Sequence, residues 1–473
     1  MKRPNIFIYM MDTQRSANMS CYGYRRQTSP SIDAIAADGC LFENHFTNSM
    51  WSLPSQASLF TGKYLCGHGC GDQYQFMEDD FPTLAEALNG AGYLTGAIQP
   101  NPWVQQDSGN VGRGFTEWIN PRDAEAVPPY TPEEADGSFV PAWKNVGLIE
   151  KWLDDHAGDD RPWLLFALSS EPHMKYAPPE PWLSEFLEPG ISPEDALAIP
   201  QSQFSGTAGE VVLTADQWAV VRSLRDGATA SVDHAIGEIY RNFARRGLLE
   251  NTVFIVTSDH GDSQGEHGFH TAHCQTALWD TTLWVPLVMR LPGVFEGGRR
   301  VPHLVQTVDV MPTCLELAGV EDPQVWSHMH GVSLTKALGD QPVRELAMAE
   351  LQKPLEPMHW ITREHPNVDI RQFNRHMKSA RTLQWKYIWS SDVRDELYHV
   401  IEDPDEQKDV IALHPEVAEG VRVKMEELLL GLDRRDYGDC LKLTGHVNVD
   451  PEVAARLEAW GLYRRVIGAN RKE

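Results

Sequence analysis

"TVFIVTSDHGD", residues 252–262, carries six apolar or β-branched residues straight into Ser258, Asp259, His260 and a glycine. A run of that length with no polar interruption reads as a strand covered on both faces, the mark of a parallel sheet inside an α/β protein. The same form recurs. "NIFIYMM" (5–11) runs into Asp12, "YLTGAI" (93–98) into "QPN" with Asn101, and "WLLFALS" (163–169) into "SEPH" with Glu171 and His173, while "WVPLVM" (284–289) is a fifth such run. Open α/β sheets bind ligands outside the carboxyl ends of their strands. One strand-end aspartate is an ordinary turn former or helix cap, but four polar strand ends on one edge point to a shared site.

Between the strands, helices are predicted over 30–39, 82–91, 215–246 and 309–318. The stretches 121–145 and 174–212, rich in Pro, Glu and Gly, read as long surface loops able to roof a site. Near 340 the pattern changes. From "SARTLQWKYIW" (379–389) through "DELYHVIEDPDEQKDV" (395–410) to a helix at 415–431, a smaller antiparallel sheet packed by a helix is expected. The fold class is therefore α/β, a large mainly parallel sheet sandwiched by helices with a smaller C-terminal α+β subdomain. The expected division is a catalytic part over 1–345 and the subdomain over 346–473.

The chain has 473 residues, 42% hydrophobic and 23% charged, an ordinary globular composition. Its formal charge of -26 excludes nucleic acid and anionic membrane as partners, because both require a basic stripe. An anionic small-molecule substrate then needs a local metal or cation to receive it. The start, "MKRPNIFIYMMDTQR", imitates a signal peptide, yet its apolar run stops at Asp12 with no small-residue cleavage site. Seven scattered cysteines fit a reducing compartment, so a cytoplasmic protein is expected, with homo-oligomerisation left open.

Asp12, Asp259 and His260 form a plausible divalent-metal set of two hard oxygens and one imidazole, to which Ser52 can add an oxygen. The loop "GEHGFHTAHC" (265–274) adds His267, His270 and His273. Ser52 itself, in "NSMWSLPSQASLFTGKY" (48–64), has two readings. It is either the N-cap of a short helix that Gly62 closes, or a hydroxyl held out for chemistry.

With these residues in view, the chain resembles the sulfatase branch of the alkaline phosphatase superfamily. The resemblance rests on "PNIFIYMMDTQRSANMSCYGY", "TSPSIDAIAADGCLFENHFTNS", "LPSQASLFTGKY", "LSSEPHMKY", "NTVFIVTSDHGDSQGEHG", "LWVPLVMRLPG", "VDVMPTCLELAGV" and the C-terminal "ELYHVIEDPDEQKDV", and so covers nearly the whole chain in order. It implies an alkaline phosphatase-like fold and a metal-dependent hydrolase of sulfate esters acting through a covalent intermediate at residue 52. The alternative is a phosphodiester or phosphonate monoester hydrolase on the same scaffold; a group transferase and a non-catalytic binding homologue are further rivals. By position, Ser52 matches the nucleophile, and Asp12, Asp259 and His260 match metal ligands. His173 and His273 fall near residues that protonate the leaving oxygen or hold the transferred group, and Asn101 and His270 are the expected substrate contacts.

Three departures from the family pattern bear on the chemistry. Thr13 stands where sulfatases usually have a second aspartate, and His260 where they often have asparagine; both features are similar to the phosphonate monoester hydrolase and phosphodiesterase relatives. These favour a transition metal, so one divalent ion (Ca, Mn or Zn) is the expected cofactor. The lysine-bearing "GKWH" segment is absent, and Asn101 in "QPNPW" takes its place. Gln56 replaces the Arg that closes the family's C/S-x-P-S-R motif. That Arg is read by the machinery that makes formylglycine, so the replacement favours an unmodified Ser52.

Overall fold

The computed structural model describes residues 3–106, 109–122, 141–268 and 277–435, together with the backbone of two short strands at Leu441–Thr444 and Tyr463–Val466. The large sheet has eight strands: β1 Asn5–Met11, β2 Cys40–Phe46, β3 Leu94–Ile98, β4 Glu117–Ile119, β5 Trp163–Ser169, β6 Thr252–Ser258, β7 Leu287–Arg290 and β8 Arg299–Gln306. Their order is β4-β3-β5-β1-β6-β7-β2-β8. Every pairing from β4 to β6 is parallel, as is β2 with β8. β7 is the exception, running antiparallel to both β6 and β2.

The uninterrupted apolar runs follow from burial on both faces. Ile6, Ile8 and Met10 of β1 join Leu164, Phe166, Val253 and Ile255 in one core with Leu53, Leu59 and Phe60 of the helix Ser52–Thr61. Phe7, Tyr9 and Met11 turn to the other face, where Leu165, Phe254 and Val256 meet three helices: Ile35 of Pro30–Asp38, Trp152 of Ala142–Asp155, and Ile236 and Phe243 of Ala215–Arg245. The period-2 alternation of side chains thus serves two cores at once.

Three expectations are corrected in detail. The fifth apolar run is strand only from Leu287, and the helix Ala142–Asp155 begins inside the stretch read as loop. The stretch 174–212 contains three short helices, Trp182–Phe186, Pro193–Leu197 and Gln203–Thr207. Tyr176 and Leu183 of this stretch pack on Val221 and Leu224 of the long helix.

A second, antiparallel sheet of four strands opens at Ala347, in the order β12-β11-β10-β9. Its strands are β9 Ala347–Leu351, β10 Met377–Arg381, β11 Trp385–Ser390 and β12 Glu396–His399. One face packs on Phe46, Met50 and Leu304, and the helix Pro415–Leu430 covers the other through Val421 and Met425. Among the described residues no helix is long and apolar enough to cross a membrane.

Candidate active site

Parallel register sets the site's first two members at one height. Met11 of β1 lies opposite Ser169 of β5 and Ser258 of β6, so Asp12 and Asp259 leave the carboxyl edge side by side. Asp12 N–H donates to Ser169 O at 3.1 Å. Ser258 then ties the two turns together, its hydroxyl on Met11 O at 2.7 Å and accepting from Gln14 N at 2.9 Å. Gly261 follows because a Cβ there would sit 2.2 Å from Thr281 O. Close approach of backbone, and not a left-handed φ, is what demands the glycine.

Asp12, Asp259 and His260 are buried and each offers a ligand atom within 4.8 Å of the others. His260 Nδ1 faces Gly261 O at 2.8 Å. A carbonyl only accepts, so Nδ1 carries the proton and Nε2 presents its lone pair. That Nε2 lies 3.7 Å from both Asp12 Oδ1 and Asp259 Oδ2, and 3.3 Å from Ser52 Oγ. Asp12 Oδ1 is buried without a hydrogen bond. Burial, and then the charge of Asp259, push the Asp12 carboxyl well above its ordinary range. Two adjacent buried carboxylates, one with an orphaned oxygen, beside an imidazole lone pair make a donor set that fits a divalent cation.

The cap reading of Ser52 does not hold. Trp51 occupies the N-cap, Ser52 is the first helical residue, and its hydroxyl faces His260 Nε2 and not a helix N–H. Gly62 does close the helix, at φ 64° with its N–H on Ser58 O. Ser55 seats the helix on the sheet edge, its hydroxyl donating to Asp259 O at 2.5 Å and meeting Thr47 Oγ1 at 2.8 Å. The positive end of the helix dipole is thereby aimed at the carboxylates.

The other predicted residues divide. Asn101 Nδ2 reaches Asp12 Oδ2 at 3.5 Å, so the structure brings it to the cluster. His173 follows β5 through a cis Glu171–Pro172 bond, and its Nδ1 lies 2.5 Å from Met174 O. His267, at φ 58°, stacks on Trp279 with ring centroids 3.6 Å apart. His270 and His273 lie outside the described residues.

A surrounding layer of polar residues has contacts that the sequence did not disclose. Thr13 adopts φ 64°, a strained conformation for a β-branched residue. Its N–H donates to Asp259 Oδ1 at 3.2 Å, and its carbonyl accepts from Arg225 Nη2 at 2.7 Å. Arg15 pairs with Glu266 at 2.9 Å, and Tyr176 donates its hydroxyl to Asp262 Oδ2 at 2.5 Å. The sequence held a partial signal for Asp262 and Arg15, which lie three residues beyond Asp259 and Asp12. Arg225 gave none, because it sits in the middle of a 31-residue helix.

The sulfatase family model matches residues 4–320, and a model of the C-terminal part of N-sulphoglucosamine sulphohydrolase matches 265–434. Arylsulfatase K of Bos taurus is 24% identical over 90% of this chain and 82% of its own. The N-acetylglucosamine-6-O-sulfatase of Bacteroides thetaiotaomicron is 25% identical over 72% of each chain. Among solved structures, the phosphonate monoester hydrolase of Agrobacterium radiobacter superposes with a TM-score of 0.70 at 21% identity, covering 90% of this chain and 96% of that one, a likeness of fold. The chain belongs to the sulfatase family and is a sulfate ester hydrolase of the alkaline phosphatase superfamily.

Proposed function

We propose that Ser52 Oγ is the nucleophile of this hydrolase and acts as an unmodified serine. The observation that carries the proposal is the convergence of Ser52 Oγ, at the head of a buried helix, with His260 Nε2 and the two carboxylates. Asp12, Asp259 and His260, with Ser52 Oγ beside them, would hold one divalent ion. When bound, it supplies positive charge that draws in an anionic group and lowers the pKa of a neighbouring hydroxyl. A mixed oxygen and nitrogen donor set suits manganese or zinc as well as calcium.

The chain's own residues then do the following. The Ser52 hydroxyl gives up its proton to solvent as Oγ attacks sulfur in line; the Oγ–S bond forms as the bond from sulfur to the alcohol oxygen breaks, its electron pair leaving on that oxygen. His173 or His273 delivers the proton the departing alkoxide needs. The Asn101 amide positions Asp12 and helps to hold the oxygens of the transferred group. Water then attacks sulfur as the Oγ–S bond breaks with its electron pair on Oγ; one proton of that water returns to Ser52 Oγ, restoring the hydroxyl, and hydrogen sulfate leaves. The histidine in the donor set supports phosphonate monoesters and phosphodiesters as second substrates.

Ser52→Ala tests the proposal. A cap would cost about 1 kcal/mol of stability and spare activity. A nucleophile should lose at least about 10⁴-fold in kcat/KM on an aryl sulfate, roughly 5.5 kcal/mol, with the melting temperature nearly unchanged. Mass spectrometry of the peptide containing residue 52 should give the serine mass. A mass two hydrogens lower would identify formylglycine and overturn the unmodified nucleophile.

A further inference from the structure

The turn that carries Asp12 out of β1 is held in a costly shape. Thr13, next in the chain, is fully buried at φ 64°, a conformation that costs a β-branched residue on the order of 1–3 kcal/mol. What the turn obtains in return is a donor. The Thr13 N–H meets Asp259 Oδ1 at 3.2 Å, and the His260 N–H meets the same oxygen at 2.9 Å. With Oδ1 held by two backbone donors, Oδ2 is the oxygen that faces His260 Nε2, 3.7 Å away. The conformation of Thr13 therefore helps to decide which way a ligand carboxylate is turned.

The constraint on Thr13 comes from the helix Ala215–Arg245. Arg225, fully buried near its middle, donates from Nη2 to Thr13 O at 2.7 Å, and its Nε lies 3.1 Å from the side-chain oxygen of Gln264. One guanidinium thus spans two turns, at a residue next to Asp12 and at a residue in the loop that follows Asp259. It is seated in its own place by Tyr176: the guanidinium carbon lies 5.7 Å from the centre of that ring, whose hydroxyl donates to Asp262. One helical turn later, Thr229 Oγ1 donates to Gln14 Oε1 at 3.0 Å, so the same helix face grips the two residues that follow Asp12. A planar fork of donors serves two acceptors on different segments at once, a geometry that a single ammonium does not reproduce.

We infer that Arg225 is a positioning residue for the metal site: by clamping the Thr13 carbonyl and the Gln264 amide, it holds Thr13 in its left-handed conformation and so keeps Asp259 turned towards Asp12 and His260 before any ion arrives. The inference rests on the metal-site reading above. Without the clamp the strained turn relaxes, Asp259 Oδ1 loses one of its donors, and the ion must order the donor set out of its own binding energy. Partners that orient a metal ligand in this way are commonly worth about 10–100-fold in affinity. An Arg225 that served packing alone, seated on Tyr176, would change stability and leave the ion affinity of the folded protein where it was.

The test is Mn²⁺ calorimetry on the chelator-stripped full chain, with the folded fraction of each variant set by circular dichroism. Arg225→Lys keeps the buried charge and loses the fork, and should weaken Mn²⁺ binding at least about tenfold; Arg225→Met, which keeps neither, should weaken it at least as much. The Lys variant decides alone where the Met variant does not fold. A double-mutant cycle then isolates the route through Thr13. Glycine adopts the left-handed conformation without strain, so in the Thr13→Gly background the loss caused by Arg225→Lys should shrink to within about threefold. Unchanged Mn²⁺ affinity in Arg225→Lys, or the same loss in both backgrounds, overturns the inference. Absence of saturable Mn²⁺ binding by the wild-type chain overturns the metal-site reading instead.

Discussion

Asp259 and Asp280 stand at the two ends of one connection between β6 and β7, and the chain surrounds them in opposite ways. Asp280 is met by cations: Lys386 Nζ at 2.6 Å from one oxygen and Arg381 Nε at 3.0 Å from the other. Lys386 is fully buried and also reaches Glu406 at 2.9 Å. Burial opposes ionisation of Asp280, yet Lys386 and Arg381 outweigh it and hold the carboxyl below its ordinary range. Asp259 is met by a second aspartate, the Gln56 side-chain amide, the backbone N–H groups of Thr13 and His260, and an imidazole lone pair. Compensated charge fastens the small sheet to the large one, and uncompensated charge waits for something the chain does not itself supply. Asp259 is fully buried and the Asp280 side chain is 11% exposed, and the identity of the partner is what separates the structural ionic group from the functional one.

The largest stability effect should come from breaking the compensated group. Lys386→Met leaves Asp280 with Arg381 alone and Glu406 with no cation, and should cost about 3–5 kcal/mol in urea unfolding. Adding Glu406→Gln should return part of that loss, because burial already pushes the Glu406 carboxyl up to about 7 and the amide removes the charge outright. Activity per folded molecule should persist. A Lys386→Met protein as stable as wild type would remove the contrast between the two aspartates.

A third buried carboxylate sharpens the comparison with a smaller effect. Glu171 accepts from Ala142 N at 2.9 Å through one oxygen, while the other is buried without a hydrogen bond. Burial pushes its carboxyl up to about 7. The folded state therefore holds a proton that the unfolded state has released between about pH 4.5 and 7, and stability falls as pH rises through that window. Glu171→Gln should raise stability at pH 8 by on the order of 2 kcal/mol, with the gain fading below about pH 5. Urea melts across that range check it; a gain independent of pH would mean that the carboxyl is not the cause.

How far the sequence disclosed this architecture follows from what each residue's role depends on. The central strands and their acidic ends were legible because a run buried on both faces leaves a continuous apolar signature, and parallel register then places Asp12 and Asp259 together. β2 and β8 were not legible. "CLFENHF" carries polar residues in mid-strand, and β8 exposes much of its first half, so neither leaves such a run. The antiparallel sense of β7 was hidden for another reason, since a four-residue buried strand looks the same in either direction. In the site, Ser52 and the metal set were visible as strand-end and helix-start residues. Gln99 and Arg225 were not, because each acts through one distant partner, Gln56 or the Thr13 carbonyl, that only the folded chain brings near.

Metal titration of the chelator-stripped protein tests the central claim, that the uncompensated cluster is a divalent-cation site, without relying on turnover. Calorimetry with Mn²⁺, Zn²⁺ and Ca²⁺ should show one ion bound per chain. Asp12→Asn and Asp259→Asn should each weaken that binding by at least about tenfold, since each removes a charged ligand. Asp280→Asn, studied where it is folded, should leave it unchanged. Absence of saturable binding, or binding that survives both Asp12→Asn and Asp259→Asn, would contradict the account.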